Sequence, residues 1–111
     1  MVNKIQVGQN TQDYHFPSAA TANTQTLAGT KTLVDGDPQI QFLDPGGASR
    51  DVNLPAEGDN NTPYYIINTA DAAENLVVKS DAPATIITIG QNEIGTVFSD
   101  GTTWRGFVGV L

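Results

Sequence analysis

Residues 64–111 read YYIINTADAAENLVVKSDAPATIITIGQNEIGTVFSDGTTWRGFVGVL, and this stretch decides the fold. Five short β-branched and aromatic runs, Tyr64 to Asn68, Asn75 to Lys79, Thr85 to Ile89, Ile94 to Phe98 and Thr103 to Leu111, are divided by Gly, Asp, Asn and Pro. Side chains branched at Cβ suit a pleated, half-buried surface, and the dividing residues are turn formers, so each run is a strand. Asp100-Gly101 predicts a tight hairpin of type I′, in which both central residues take positive φ. Two of the runs are apolar on both faces. Tyr64 and Ile66 share one face and Tyr65 and Ile67 the other, while Trp104, Val108 and Val110 oppose Phe107 and Leu111. A strand of that kind needs cover on both sides, from its own barrel, from the chain's arm or from another subunit.

The same texture extends upstream. A run from Thr26-Leu27 to Leu33-Val34 ends at Asp35-Gly36-Asp37-Pro38, and Gln39 to Leu43 alternates polar and apolar. Asp44-Pro45-Gly46-Gly47 then predicts a type II turn, with proline at the second position and glycine where φ must be positive. Asp51 to Leu54 alternates again and stops at Pro55, before a long turn-rich loop over residues 56–62. About eight strands at such spacing predict an all-β domain over residues 26–111, a compact β-sandwich or barrel. Residues 1–25 read as an extended N-terminal arm, polar and without a sustained period of 2 or 3.6. Tyr14-His15-Phe16-Pro17 is the apolar knot of that arm, and with polar sequence on both sides it is expected to seek cover away from its own neighbours.

Composition removes several functional classes. With 111 residues the length suits one domain, and five Lys+Arg against twelve Asp+Glu give a net charge of -7, which repels a phosphate backbone. Nucleic acid is not an expected partner. Neither is a membrane, since no apolar run approaches the roughly 20 residues that span one, and a secretory leader is not expected from residues 1–10. There is no cysteine and His15 is the one imidazole, so the usual zinc sets and the activated-thiol chemistries are excluded. No Gly-x-Ser-x-Gly elbow or phosphate-binding glycine loop occurs. No enzyme and no cofactor are therefore expected. Oxygen ligands for calcium stand at Asp35-Gly36-Asp37 and Asp59-Asn60-Asn61, without the spacing of a calcium loop, and such residues mostly cap their own turns. Trp104 could stack a sugar or a base, although one Trp on a strand more often belongs to a core or an interface.

Val52-Asn53-Leu54-Pro55, Tyr65-Ile66-Ile67-Asn68, Leu76-Val77-Val78-Lys79 and Phe98-Ser99-Asp100-Gly101-Thr102-Thr103-Trp104 follow one another in an order that resembles the β-rich modules of tailed-bacteriophage virion proteins. Within that group the short acidic chain is most similar to small capsid decoration, or cement, proteins. The resemblance implies a non-enzymatic structural protein, made in the host cytoplasm and placed on the outer surface of the virion. There it would stabilise the mature capsid by clamping neighbouring capsomers. It implies the major capsid protein as partner and a homo-trimer suited to three-fold capsid positions. The alternative it leaves is a tail-fibre or spike tip that binds a host-surface carbohydrate. Tyr14, His15, Phe16, Pro17, Trp104 and Phe107 are the expected subunit or capsid contacts, with the arm reaching a neighbouring subunit or the capsid floor.

Overall fold

The first six strands are divided between two sheets, and within each sheet they pair in parallel. The computed structural model describes residues 22–58 and 62–111. Its strands are β1 (Ala22–Thr26), β2 (Lys31–Thr32), β3 (Ile40–Asp44), β4 (Arg50–Asn53), β5 (Tyr64–Asn68), β6 (Leu76–Lys79), β7 (Thr85–Ile89), β8 (Glu93–Ser99) and β9 (Trp104–Val110). They form a five-stranded sheet in the order β1-β3-β5-β8-β9 and a four-stranded sheet in the order β2-β4-β6-β7. Odd and even strands alternate between the sheets up to β6. Ala22 lies beside Ile40 and Ile40 beside Tyr65, all parallel, while Lys31 pairs with Val52 and Arg50 with Leu76 in the same sense. The chain thus winds in coils, each giving one strand to either sheet, because parallel neighbours need a crossover and here the other sheet supplies it. From β7 onward the winding stops. β7 packs antiparallel on β6, β8 on β5 and β9 on β8, which closes the stack at one end.

All-β architecture in two sheets agrees with the sequence reading, but the sheets do not close into a barrel: among the described residues each is an open sheet, ending at β1 and β9 in one and at β2 and β7 in the other. The Asp44-Pro45-Gly46-Gly47 turn does not join a hairpin. It carries the chain from β3 in one sheet to β4 in the other. Gly46 does take the expected positive φ, 77°, and a Cβ there would collide with the carbonyl oxygen of Leu27, so both conformation and space demand glycine. Ala22 to Gln25, which the sequence reading assigned to the arm, belong to β1. Residues 1–21 and 59–61, with Tyr14, His15, Phe16 and Pro17 among them, lie outside the described residues.

Between the sheets, Leu43, Tyr64, Ile66, Val97 and Trp104 meet Val52, Leu76, Val78, Ile87 and Ile89, and Leu27, Leu33 and Leu54 from the connections close the sides. Each such aliphatic side chain contributes about 1.5–3 kcal/mol when fully withdrawn from water. Gly106 faces this layer from β9. A Cβ there would stand 2.6 Å from the Thr96 carbonyl oxygen and 2.9 Å from Val97 Cγ1, so its absence lets the last hairpin lie close.

Two buried polar side chains fasten the stack. Gln41 donates to the Pro38 carbonyl at 2.8 Å and accepts from Asn23 Nδ2 at 2.8 Å, tying β1 to β3. Asn68 donates to the Glu74 and Ile89 carbonyls at 2.8 and 2.9 Å and accepts from the Ala70 N–H at 2.9 Å. It thereby links the end of β5 to the entry of β6 and the exit of β7, which explains an asparagine after Tyr65-Ile66-Ile67.

The β8–β9 hairpin is antiparallel as expected, yet its turn is not type I′. Ser99 pairs with Trp104, leaving a four-residue loop, and Asp100 does not take positive φ whereas Gly101 does, at 95°. The Asp100 carboxylate accounts for the longer loop by accepting the Thr102 and Thr103 N–H groups, both at 2.9 Å.

Candidate interaction surface

The two sheets present opposite outer faces. On the four-stranded sheet, residues that alternate with the core are polar apart from Val77: Thr32 aligns with Asn53 and Lys79, and Asp51 with Val77 and Thr88. Lys79 Nζ and an Asp51 oxygen form an ion pair at 3.1 Å there. On the five-stranded sheet the same parity gives mostly apolar side chains, with Thr96 and Gly109 among them. Ile40, Tyr65, Thr96 and Phe107 stand in one row across β3, β5, β8 and β9, with Phe42, Ile67, Ile94 and Gly109 in the next. Phe98 and Arg105 continue the face beyond the first row, and Phe98 meets Phe107 edge to face with ring centroids 6.4 Å apart.

Exposure separates this face from the core. Ile40 is 36%, Tyr65 37%, Phe98 43% and Phe107 59% exposed, while the inward neighbours Ile66 and Val97 are fully buried. A contiguous apolar patch of this kind marks an interaction site more often than single exposed residues do. Its charges stand at two ends, Arg105 near Phe98 and Asp44 at the far end of β3. At the hairpin loop, the backbone N–H groups of Thr103 and Thr102 hold the Asp100 carboxyl below the usual carboxylate range, with the Arg105 charge adding to the effect.

Trp104, expected from the sequence as a contact residue, is corrected to a core residue. It is 2% exposed, its indole N–H donates to the Pro55 carbonyl at 2.8 Å, and its ring centroid lies 6.3 Å from that of Tyr64. Position 104 falls on the inward parity of β9, so the ring has no face to offer a ligand or a partner. Phe107, three residues on, has the opposite parity and is exposed. Ile40, Tyr65 and Phe98 were not singled out by the sequence reading. The signal was the two-faced pattern of β5 and β9, but which face meets the core depends on partners far away in the chain.

A second grouping joins Asp44 at the end of β3 with Asp71 and Glu74 in the β5–β6 connection, their carboxylate oxygens within 4.8 Å of one another. Such oxygens are hard-cation ligands in kind. Here Asp44 accepts the Gly46 N–H at 2.9 Å and Glu74 the Gly47 N–H at 3.2 Å, so two of them brace the turn between the sheets. Of the loops expected to offer calcium ligands, Asp37 accepts the Val34 N–H at 2.9 Å and closes its own turn, and residues 59–61 lie outside the described residues. Ser49, Ser80 and Ser99 each spend their hydroxyl oxygen on a backbone N–H, of Asn75, Ala84 and Gly101.

Comparison with protein-family models, with characterised proteins and with solved structures returns no match.

Proposed function

We propose that this chain is a non-enzymatic structural protein of a phage virion, which decorates the outer surface of the capsid and stabilises it by bridging neighbouring capsomers. The observation that carries the reading is the contrast between the two outer faces: one mostly polar and ion-paired, the other mostly apolar with exposed Ile40, Tyr65, Phe98 and Phe107, on a chain of net charge -7. A protein that works by packing against other proteins requires such a face, and the resemblance of the motif order to that of virion modules supplies the setting. In this reading the chain acts as a homo-oligomer, a trimer being the form suited to three-fold positions, and the major capsid protein is its partner. A carbohydrate-binding tip loses its clearest support with the burial of Trp104.

Electron microscopy of heads from phage with and without the gene tests the proposal. The expected result is surface density at fixed lattice positions that disappears on deletion, with earlier thermal rupture of the deleted heads. Heads identical in density and stability refute it.

A further inference from the structure

We infer that the open end of the coiled stack, the free edges of β1 and β2, is filled by the preceding segment of the same chain, residues 1–21, as one further coil. The inference is independent of the proposed function.

The edge is the first observation. β7, β8 and β9 close one end of the stack, whereas among the described residues β1 and β2 each have a neighbour on one side alone. In a parallel strand the N–H and C=O of one residue point to one side and those of the next residue to the other. The Leu27 N–H donates to the Asp44 carbonyl and the Leu33 N–H to the Asn53 carbonyl, both at 2.8 Å. By that alternation the backbone groups of Thr24, Thr26 and Thr32 face away from β3 and β4. Such a row is a template for another strand. A parallel one continues the winding, since β1, β3 and β5 pair in that sense, as do β2, β4 and β6.

The chain before β1 carries the pattern of the missing strand pair. Register partners in successive coils stand 18 to 26 residues apart, from Ala22 and Ile40 to Arg50 and Leu76, so residues 1–21 are long enough for one coil. At the offset of 18 that relates β1 to β3, Ile5 falls beside Asn23 and Val7 beside Gln25. That is the parity of Gln41 and Leu43, which turn toward the other sheet, while Lys4 and Gln6 fall on the outer face. Phe16 comes nine residues after Val7, as Val52 comes nine after Leu43. Tyr14-His15-Phe16-Pro17 repeats the apolar, polar, apolar, proline order of Val52-Asn53-Leu54-Pro55, in which Val52 and Leu54 are core. The further coil thus sets Ile5 and Val7 opposite Tyr14 and Phe16 between the sheets, and gives the rings the cover that their polar neighbours in sequence cannot. Docking on an unrelated surface requires neither the alternation nor the spacing.

The chain has no cysteine, so paired substitutions in the full chain read the register directly. Gln6→Cys with Thr24→Cys puts two cysteines on neighbouring strands about 4.8 Å apart, inside the Cα separation of about 4.4–6.8 Å that a disulfide spans, whereas Gln6→Cys with Thr26→Cys puts them about 8 Å apart. Under mild oxidation the first pair is expected to close within one chain at least about 10-fold faster than the second, followed by mass spectrometry. In the unsubstituted chain, hydrogen exchange at the Thr24 and Thr26 amides is expected to be slowed about 10-fold or more, and Ile5→Asp with Phe16→Asp to abolish that protection while β5 and β8 stay protected. Equal closure of the two pairs overturns the inference, because the segment then has no fixed register. Disulfide-linked dimers overturn it too, since the edge is then filled by another copy. Should the cysteine variants fail to fold, the exchange measurement decides alone: Thr24 and Thr26 amides that exchange at unprotected rates leave the edge open and refute the further coil.

Discussion

Replacing Asn68 by alanine leaves the Ile89 and Glu74 carbonyls without their side-chain donor and the Ala70 N–H without its acceptor. Asn68 is fully buried, and the bonds to Ile89 and Ala70 lie out of reach of water. Each buried polar group left unpaired costs about 1–3 kcal/mol, so the two fully buried groups and the partly buried third together cost about 3–5 kcal/mol. That is a large share of the 5–15 kcal/mol by which a domain of this size is stable. The single Trp, 2% exposed in the core, reports unfolding by fluorescence in a urea titration. The midpoint is expected to fall with little change in slope, and the melting temperature to drop by about 12–20 °C.

Asn68→Asp separates hydrogen bonding from volume. An ionised Asp cannot donate to two carbonyls, so its folded pKa rises above the unfolded value of about 3.9. The folded variant is therefore least impaired below that value and loses stability as pH rises through the folded pKa. Asn68→Asp is expected to be less stable than Asn68→Ala at neutral pH and to approach it in acid. A loss below about 1 kcal/mol for Asn68→Ala, or an Asp variant indifferent to pH, refutes the role given to this residue.

Gly106→Ala forces a Cβ against the Thr96 carbonyl and Val97, and is expected to cost about 1–3 kcal/mol in chemical denaturation; a neutral variant contradicts the close approach of the last hairpin. Trp104→Phe removes the donor to the Pro55 carbonyl and part of the core volume, and a loss of about 1–3 kcal/mol by circular dichroism is expected, against none if the ring were a surface contact. Asp100 has a lowered folded pKa, so its stabilisation of the hairpin is present above the unfolded pKa and is lost as pH falls through the folded one. Asn at position 100 keeps an acceptor without the charge, and its melting temperature is expected to fall less steeply in acid than that of the wild type. Parallel curves refute the assignment.

Much of the strand content was legible in the chain itself. Tyr64 to Asn68 and Thr85 to Ile89 match β5 and β7 residue for residue, because β-branched runs and turn formers act over a few neighbouring positions. The period of two also showed that Tyr64 and Tyr65 must face opposite ways. The pattern was silent on which faces the core: a strand's period is symmetric, and the choice is made by the pairing of Tyr64 with Val97 and of Tyr65 with Thr96 from β8. For the same reason Trp104 was placed at a contact and found in the core.

The coiled winding was hidden because neighbours in the sheets are not neighbours in the chain. Asp44-Pro45-Gly46-Gly47 specifies a reversal by its local φ angles, yet those angles do not say whether the next strand returns beside β3 or crosses to the other sheet. Asp44, Asp71 and Glu74 come together by that crossing, and so do the three bonds of Asn68. The chain alone determined where strands begin and end and that two of them need cover on both sides, since those follow from backbone preference and a period of two. Which residues became core, which became the apolar outer face, and which loops met were decided by tertiary structure, because burial is a property of the whole packed pair of sheets and of no single segment.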